Sequence, residues 1–481
     1  MTDRRLLLVV FVVAAAWAGL GAPSHATYGA RLTADEPQYV LTAMSLAEDR
    51  DLDIADELAD ERWRDFHRAE LPRQTEPRVD GTELSPHDPL LPALLAPGVG
   101  LFGWLGARIT MALVAGVLAA LLVWTAEARL QASRLTALVV TGAFALSAPL
   151  ASYGSQVYPE LPAALCVLAA AAALLGPPSR HRTVLWLVAV VALPWLGVKY
   201  AGVALAMGLV GLWRDRHLAL PISAAAALAG AGYLVFHQAV YGGWTVYSAG
   251  DHFVNGEFTV VGDDPDHLGR TIRLLGLLVD RHFGLVAWAP AYLLGVPAVA
   301  ALARRRHRVD RAAAPVVLLP LAAGWATATW VALTMHGWWW PGRQVVVVLP
   351  LVVLAVVRLV NGRPRLLRLV LGAGLLGLVA WAWVAVDTWS PPHTLIVDFD
   401  ATGNPWVRAW RWLLPDERVS GLDVDVRNVV WGALVAVGAL FGWRAATAAP
   451  RSAGGDEDAI AGEGADADGV AVDLDRGRAV R

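Results

Sequence analysis

The chain has 481 residues, of which 56 % are hydrophobic and 17 % charged, and its formal net charge is −3. So apolar a composition, arranged in runs of bilayer length, excludes a single soluble core, and a charge near zero gives no field for nucleic acid. The one cysteine, Cys166, lies in an apolar stretch and excludes an internal disulfide framework or a multi-cysteine metal site.

Taken in chain order, the first apolar run, 6–20, follows Arg4 and Arg5 and precedes Ser24-His25-Ala26. It reads either as a retained first span with the amino terminus in the cytoplasm or as a cleaved signal peptide. Hydropathy predicts spans near 6–22, 107–127, 135–151, 157–176, 183–198, 199–213, 218–240, 284–303, 312–334, 343–360, 369–388 and 428–446. The expected fold class is therefore an all-α polytopic membrane protein, a bundle of about a dozen helices over 1–446. With the first connection outside, alternate connections carry Arg129 and Arg134, Arg180 and Arg182, Arg214 and Arg216, Arg304 to Arg306, and Arg363, Arg365 and Arg368. That is the positive-inside pattern, and it predicts external loops at 23–88, 241–283 and 389–427. The stretch 88–103 is apolar but crowded with Pro89, Pro92 and Pro97, and is expected to be interfacial or re-entrant. The Ala/Gly/Asp/Glu tail, 447–481, is expected to be disordered in the cytoplasm.

Directly after the first span comes Thr33-Ala34-Asp35-Glu36-Pro37-Gln38-Tyr39, followed by an amphipathic stretch. Pro37 suits a first helical turn, so Asp35 and Glu36 read either as acids favoured by a helix start or as carboxylates able to take a proton from an acceptor hydroxyl. Ser155-Gln156-Val157-Tyr158-Pro159-Glu160 repeats the choice, with Glu160 at the start of another helix. Lys199, the only lysine, stands between two spans in Gly197-Val198-Lys199-Tyr200, where snorkelling and function are both open. Arg343, in His336-Gly337-Trp338-Trp339-Trp340-Pro341-Gly342-Arg343, opposes the positive-inside trend, and an arginine fork matches phosphate oxygens. The three tryptophans read first as an interfacial belt and second as a sugar platform.

An Asp-Glu pair in the first external loop, an amphipathic helix after it, a proline-rich return to the membrane and a second acid in the next external loop resemble the GT-C glycosyltransferases. The resemblance is to the family 39 group, which includes protein O-mannosyltransferases and the lipid A aminoarabinose transferase. It covers the layout of residues 1–360, and the matching motifs are short. It implies Asp35 as catalytic base with Glu36 beside it, Glu160 where the family often has aspartate, and a sugar donor on polyprenyl or dolichyl phosphate. Lys199, Tyr200, His336, Arg343, Tyr39, His87 and Tyr158 complete the candidate substrate-binding set.

His87, Asp88 and His282 fit no strong metal-ligand spacing such as His-Glu-x-x-His, and no nucleotide phosphate loop is present, so no cofactor is expected; a divalent cation held by Asp35 and Glu160 stays open. The reading these residues support is an inverting glycosyltransferase of the cell membrane, with both termini cytoplasmic and the site outside. Its partners would be a polyprenyl-phosphate-linked sugar, membrane lipid and an envelope glycolipid, polysaccharide or protein acceptor. The rival is a transporter or flippase, which would place its ionisable groups nearer the bilayer midplane on broken helices.

Overall fold

A computed structural model of the protein describes residues 3–72, 74–75, 77–249, 265–304 and 308–446. The expected tail, the middle of the 241–283 loop, and Arg305 and Arg306 lie outside the described residues. Among these residues there is no extended sheet, only isolated bridges such as Thr27 with Ala30 and Asp53 with Leu84. Seventeen α-helices are described: α1 (Arg4–Gly19), α2 (Glu36–Glu48), α3 (Ala55–Ala59), α4 (Leu90–Ala128), α5 (Arg134–Ala145), α6 (Glu160–Leu174), α7 (Arg180–Leu196), α8 (Ala201–Arg214), α9 (Ala219–Tyr241), α10 (Arg273–Val279), α11 (Leu285–Trp288), α12 (Gly295–Ala303), α13 (Arg308–Ala326), α14 (Leu349–Val360), α15 (Pro364–Asp387), α16 (Pro405–Arg411) and α17 (Leu422–Ala445).

Six helical segments, Leu90–Ala128, Arg216–Ala249, Val309–Val331, Arg343–Val360, Pro364–Asp387 and Leu422–Ala445, are long and apolar enough to cross a membrane. Three shorter apolar segments are Arg134–Ala145, Glu160–Leu174 and Pro290–Ala303. The chain is an all-α polytopic membrane protein. Where hydropathy predicts one span at 284–303, the segment forms α11, leaves helical geometry at Ala289 (φ −139°, ψ 90°) just before Pro290, and resumes as a 3-10 turn at Pro290–Leu294 that runs into α12. A proline lacks the N–H that an uninterrupted α-helix would use and clashes with the preceding turn.

The proline-rich stretch after residue 88 is the first limb of α4, and α4 is not a straight rod. Its backbone leaves the helical region at Phe102 (φ −137°, ψ 16°) and Gly103 (φ 56°, ψ −145°). A Cβ placed on Gly106 would lie 1.9 Å from the Gly98 carbonyl oxygen. In a straight helix eight residues span about 12 Å, so the chain doubles back here.

The centre of the bundle is the Arg343–Val360 segment, 89 % buried across its apolar window, whereas α9 and α17 are only 11 % buried. A helix that is apolar all round and enclosed by protein belongs to the core, and one that is apolar and uncovered belongs against lipid. Arg108 of α4, fully buried, donates to the carbonyls of Ala22 (2.6 Å) and Ser24 (2.8 Å) and to that of Arg31, tying the segment that follows α1 to α4. The next turn leads into α2, whose residues from Glu36 to Ser45 are all buried and which packs along α4. That anchorage fixes Asp35 at the mouth of α2.

Candidate active site

Asp35 is the N-cap residue of α2, yet its side chain makes no cap hydrogen bond to that helix. Ala34 before it holds a left-handed φ of 54°, a conformation costing an alanine on the order of 1 kcal/mol. The strained turn aims the carboxylate away from α2, and its Oδ2 accepts from Arg343 Nη2 at 2.5 Å. Glu160 is likewise the first residue of α6 and makes no bond to its own helix start; its Oε1 accepts from Arg343 Nε at 2.8 Å and from Lys199 Nζ at 2.6 Å. Lys199 stands on the 3-10 turn Val198–Tyr200 between α7 and α8. Arg343 opens the turn leading into α14 and follows Gly342, whose φ of +85° suits glycine alone without strain.

Four elements distant in sequence thus converge in the order Asp35, Arg343, Glu160, Lys199. Their formal charges sum to zero, which is what lets them lie together inside the protein. The Arg343 guanidinium, 7 % exposed, is held between the rings of Tyr158 (4.3 Å) and Trp339 (4.9 Å). It stands between Asp35 and Glu160 and pairs with both. Burial alone would raise the Asp35 carboxyl; the Arg343 guanidinium, with His87 and Lys199 beyond it, overrides burial and holds it well below the usual carboxylate range. Asp35 is therefore ionised at neutral pH.

Glu36 differs from its neighbour. It is fully buried, and its two oxygens accept from the backbone amides of Val157 (2.8 Å) and Thr33 (3.1 Å). It fastens the turn carrying Asp35 to the turn carrying Tyr158, and burial, offset by Arg108, raises its carboxyl. Tyr39 stacks on His87, ring centroids 4.6 Å apart, and His87 Nε2 lies 3.1 Å from Gln74 Oε1. Burial lowers the basicity of the His87 imidazole, favouring its neutral form.

A cavity of ≈ 430 Å³ opens on this cluster. Asp35, Tyr39, His87, Lys199, Tyr200, His336 and Arg343 line it, whereas Glu36, Tyr158 and Glu160 stand behind the wall. The Tyr200 hydroxyl, His336 Nε2 and Glu160 Oε2 are buried polar atoms with no hydrogen-bond partner. The tryptophan run divides. Trp338 and Trp339 line the cavity, whereas Trp340 is wholly buried against Trp288 and Trp381 and is neither belt nor platform.

The lining also includes Gln74, Tyr247 and Thr327, for which the sequence carries no signal. Asp88 is a lining residue as well; its Oδ1 accepts from the Tyr233 hydroxyl (3.1 Å) and lies 3.3 Å from His237 Nε2, and its Oδ2 accepts from Val198 N (3.3 Å), next to Lys199. His237 and Tyr233 lie four apart on α9 and so share a face, a pairing that points to Asp88 only once α9 is placed. Asp280 and His282 do not line the cavity. His282 lies between Asp400 (2.9 Å) and Asp416 (3.2 Å) and docks the segment after α15.

The helical bundle has a fold also seen in a solved structure. Among solved structures it is similar to ArnT from Cupriavidus metallidurans, whose crystal structure is bound to undecaprenyl phosphate. The TM-score is 0.52 at 17 % sequence identity, and the match covers 92 % of this chain and 76 % of that one. No family model matches the chain, and no curated protein matches it in sequence.

Proposed function

We propose that the protein is an inverting glycosyltransferase that moves a sugar from a polyprenyl-phosphate carrier to an acceptor hydroxyl at the outer face of the cytoplasmic membrane. The observation that carries this reading is one cavity wall bearing an ionised carboxylate, Asp35, beside two cations, Arg343 and Lys199. A similar fold in a protein bound to undecaprenyl phosphate supports the choice of donor class.

In the proposed reaction the acceptor oxygen attacks the anomeric carbon in line, and Asp35 takes the hydroxyl proton as the new C–O bond forms. The bond from the anomeric carbon to the phosphate oxygen breaks, inverting the configuration and leaving a polyprenyl phosphate with one more negative charge. Arg343 spends one N–H on each carboxylate and keeps the rest of its fork for phosphate oxygens; Lys199 adds a point charge. Because both cations are already fixed by Glu160, the leaving group meets a preorganised positive field. Glu36 acts at one remove, by holding the Asp35 turn. Tyr39, His87, Tyr200 and His336 form the remaining polar wall for the sugar and the acceptor.

The test is transfer of radiolabelled sugar from polyprenyl-phosphate-linked donors to envelope fractions, by purified protein in liposomes. Transfer by wild type and none by Asp35→Asn is the expected result. Labelled lipid crossing the bilayer without transfer would support the transporter reading instead.

A further inference from the structure

At the opposite end of α2 from Asp35 the chain carries a dense acidic run, Glu48-Asp49-Arg50-Asp51-Leu52-Asp53-Ile54-Ala55-Asp56-Glu57. Half of these acids already have partners. Glu48 holds Arg62 in a two-pronged pair (2.8 and 2.9 Å). Asp51 accepts from the Ser45 hydroxyl (2.8 Å) and the Asp53 amide (3.0 Å), and Asp53 accepts from the amides of Ala55 (3.1 Å) and Glu83 (2.7 Å). The other three, Asp49, Asp56 and Glu57, turn their carboxylates toward one another, with one oxygen from each lying within 4.8 Å of the other two. Among the described residues this is the one such grouping of potential metal ligands.

Proximity of exposed acids alone would be unremarked, but Glu57 is not exposed. It is 2 % accessible, its Oε2 is buried without a hydrogen-bond partner, and one of its oxygens lies within 4.8 Å of an oxygen of each aspartate. A buried carboxyl beside two further carboxylates is unfavourable unless a proton or a cation joins it, and burial, with Asp56 beside it, already pushes the Glu57 carboxyl up to about 8. Arg62, the arginine of the adjoining turn, is occupied by Glu48.

We propose that Asp49, Asp56 and Glu57 bind a hard divalent cation of the calcium class. An ion centred among three oxygens that all lie within 4.8 Å of one another is at most about 2.8 Å from each, close to the 2.3–2.6 Å distances calcium adopts, and the exposed sides of Asp49 and Asp56 leave room for the water ligands that complete its shell. The ion joins the carboxyl end of α2, where Asp49 is the C-cap, to α3, which carries Asp56 and Glu57. It is a structural brace for the helix that begins at Asp35, and it does not depend on the reaction proposed above.

The test uses the full-length protein purified in detergent, stripped with a chelator, and titrated calorimetrically with calcium chloride alongside thermal unfolding. Saturable binding is expected in the range of about 10⁻⁴ to 10⁻³ M, with magnesium binding more weakly. The unfolding midpoint should rise when calcium is well above that range. Asp49→Asn and Asp56→Asn replace exposed side chains, so both should unfold like wild type in chelator while losing most of the calcium response. Glu57→Gln should lose it as well. No saturable heat and no midpoint shift in wild type at about 10 mM calcium, roughly tenfold above the weak end of this range, would overturn the site. So would an undiminished shift in Asp49→Asn and Asp56→Asn.

Discussion

Lys199 and Arg343 share a single oxygen: both donate to Oε1 of Glu160, at 2.6 and 2.8 Å, while Oε2 of the same carboxylate is buried without a partner. Glu160 therefore sets the spacing of the two cations from behind the cavity wall. Of the two carboxylates that Arg343 holds, Asp35, on its far side, is the one that faces the cavity. Acids that look equivalent in sequence occupy unequal positions.

Asp35→Asn tests the base. The amide keeps the shape of the side chain and cannot accept a proton from a hydroxyl at neutral pH, so transfer should fall by about 10²–10⁴-fold in kcat. Donor affinity, measured by equilibrium binding of the polyprenyl-phosphate sugar, should change far less, and an Asn enzyme of wild-type kcat would remove Asp35 from the mechanism.

Arg343→Gln tests the electrostatics through pH. With the guanidinium present the Asp35 carboxyl lies well below its usual range, so the ionised base is retained far into acid. Without it, burial is opposed by His87 and Lys199 alone, the carboxyl rises, and the acidic limb of the kcat/KM profile should move to higher pH. Donor binding should weaken in the same variant. A limb that stays in place would mean that another group controls the ionisation.

Lys199→Met and Glu160→Gln should each destabilise the protein, because each leaves the neutral cluster of Asp35, Arg343, Glu160 and Lys199 with one unbalanced charge; breaking a fully buried pair costs about 3–5 kcal/mol, and with Lys199 26 % exposed the loss should fall at or below the low end of that range. Their double variant should lose clearly less than the sum of the two, since the charge left behind by either change is then removed. Thermal unfolding of all four proteins in one detergent gives the coupling.

Glu36→Gln separates positioning from chemistry. A glutamine can accept from one of the two backbone amides but its NH₂ cannot accept from the other, so about 1–3 kcal/mol of stability should be lost. Turnover should fall as the Asp35 turn loosens, while the acidic limb of the pH profile stays where it is. A shift of that limb would make Glu36 part of the titrating machinery.

Hydropathy located the long apolar helices closely: 218–240 is the heart of α9, and 343–360 coincides with the segment Arg343–Val360. It located less well the span at 284–303, which is interrupted at Ala289 just before Pro290, because local backbone geometry there overrides average hydrophobicity. The proline-rich stretch before Gly103, expected to be interfacial or re-entrant, is half of a hairpin. For Asp35 and Glu160 the sequence left helix capping and chemistry both open; neither caps its helix, because an arginine 308 and 183 residues away, respectively, takes both carboxylates.

By itself, then, the sequence determined the all-helical membrane class and the residue types that carry charge at the ends of spans, since both follow from local composition and from the cost of leaving a charge in hydrocarbon. Only the tertiary structure decided which charges meet. The pairing of Arg343 with Asp35 and Glu160, the seating of Glu36 on the Val157 amide and the division of the tryptophan run depend on which helices pack together. That is set by contacts between residues tens to hundreds apart, and no local pattern encodes it.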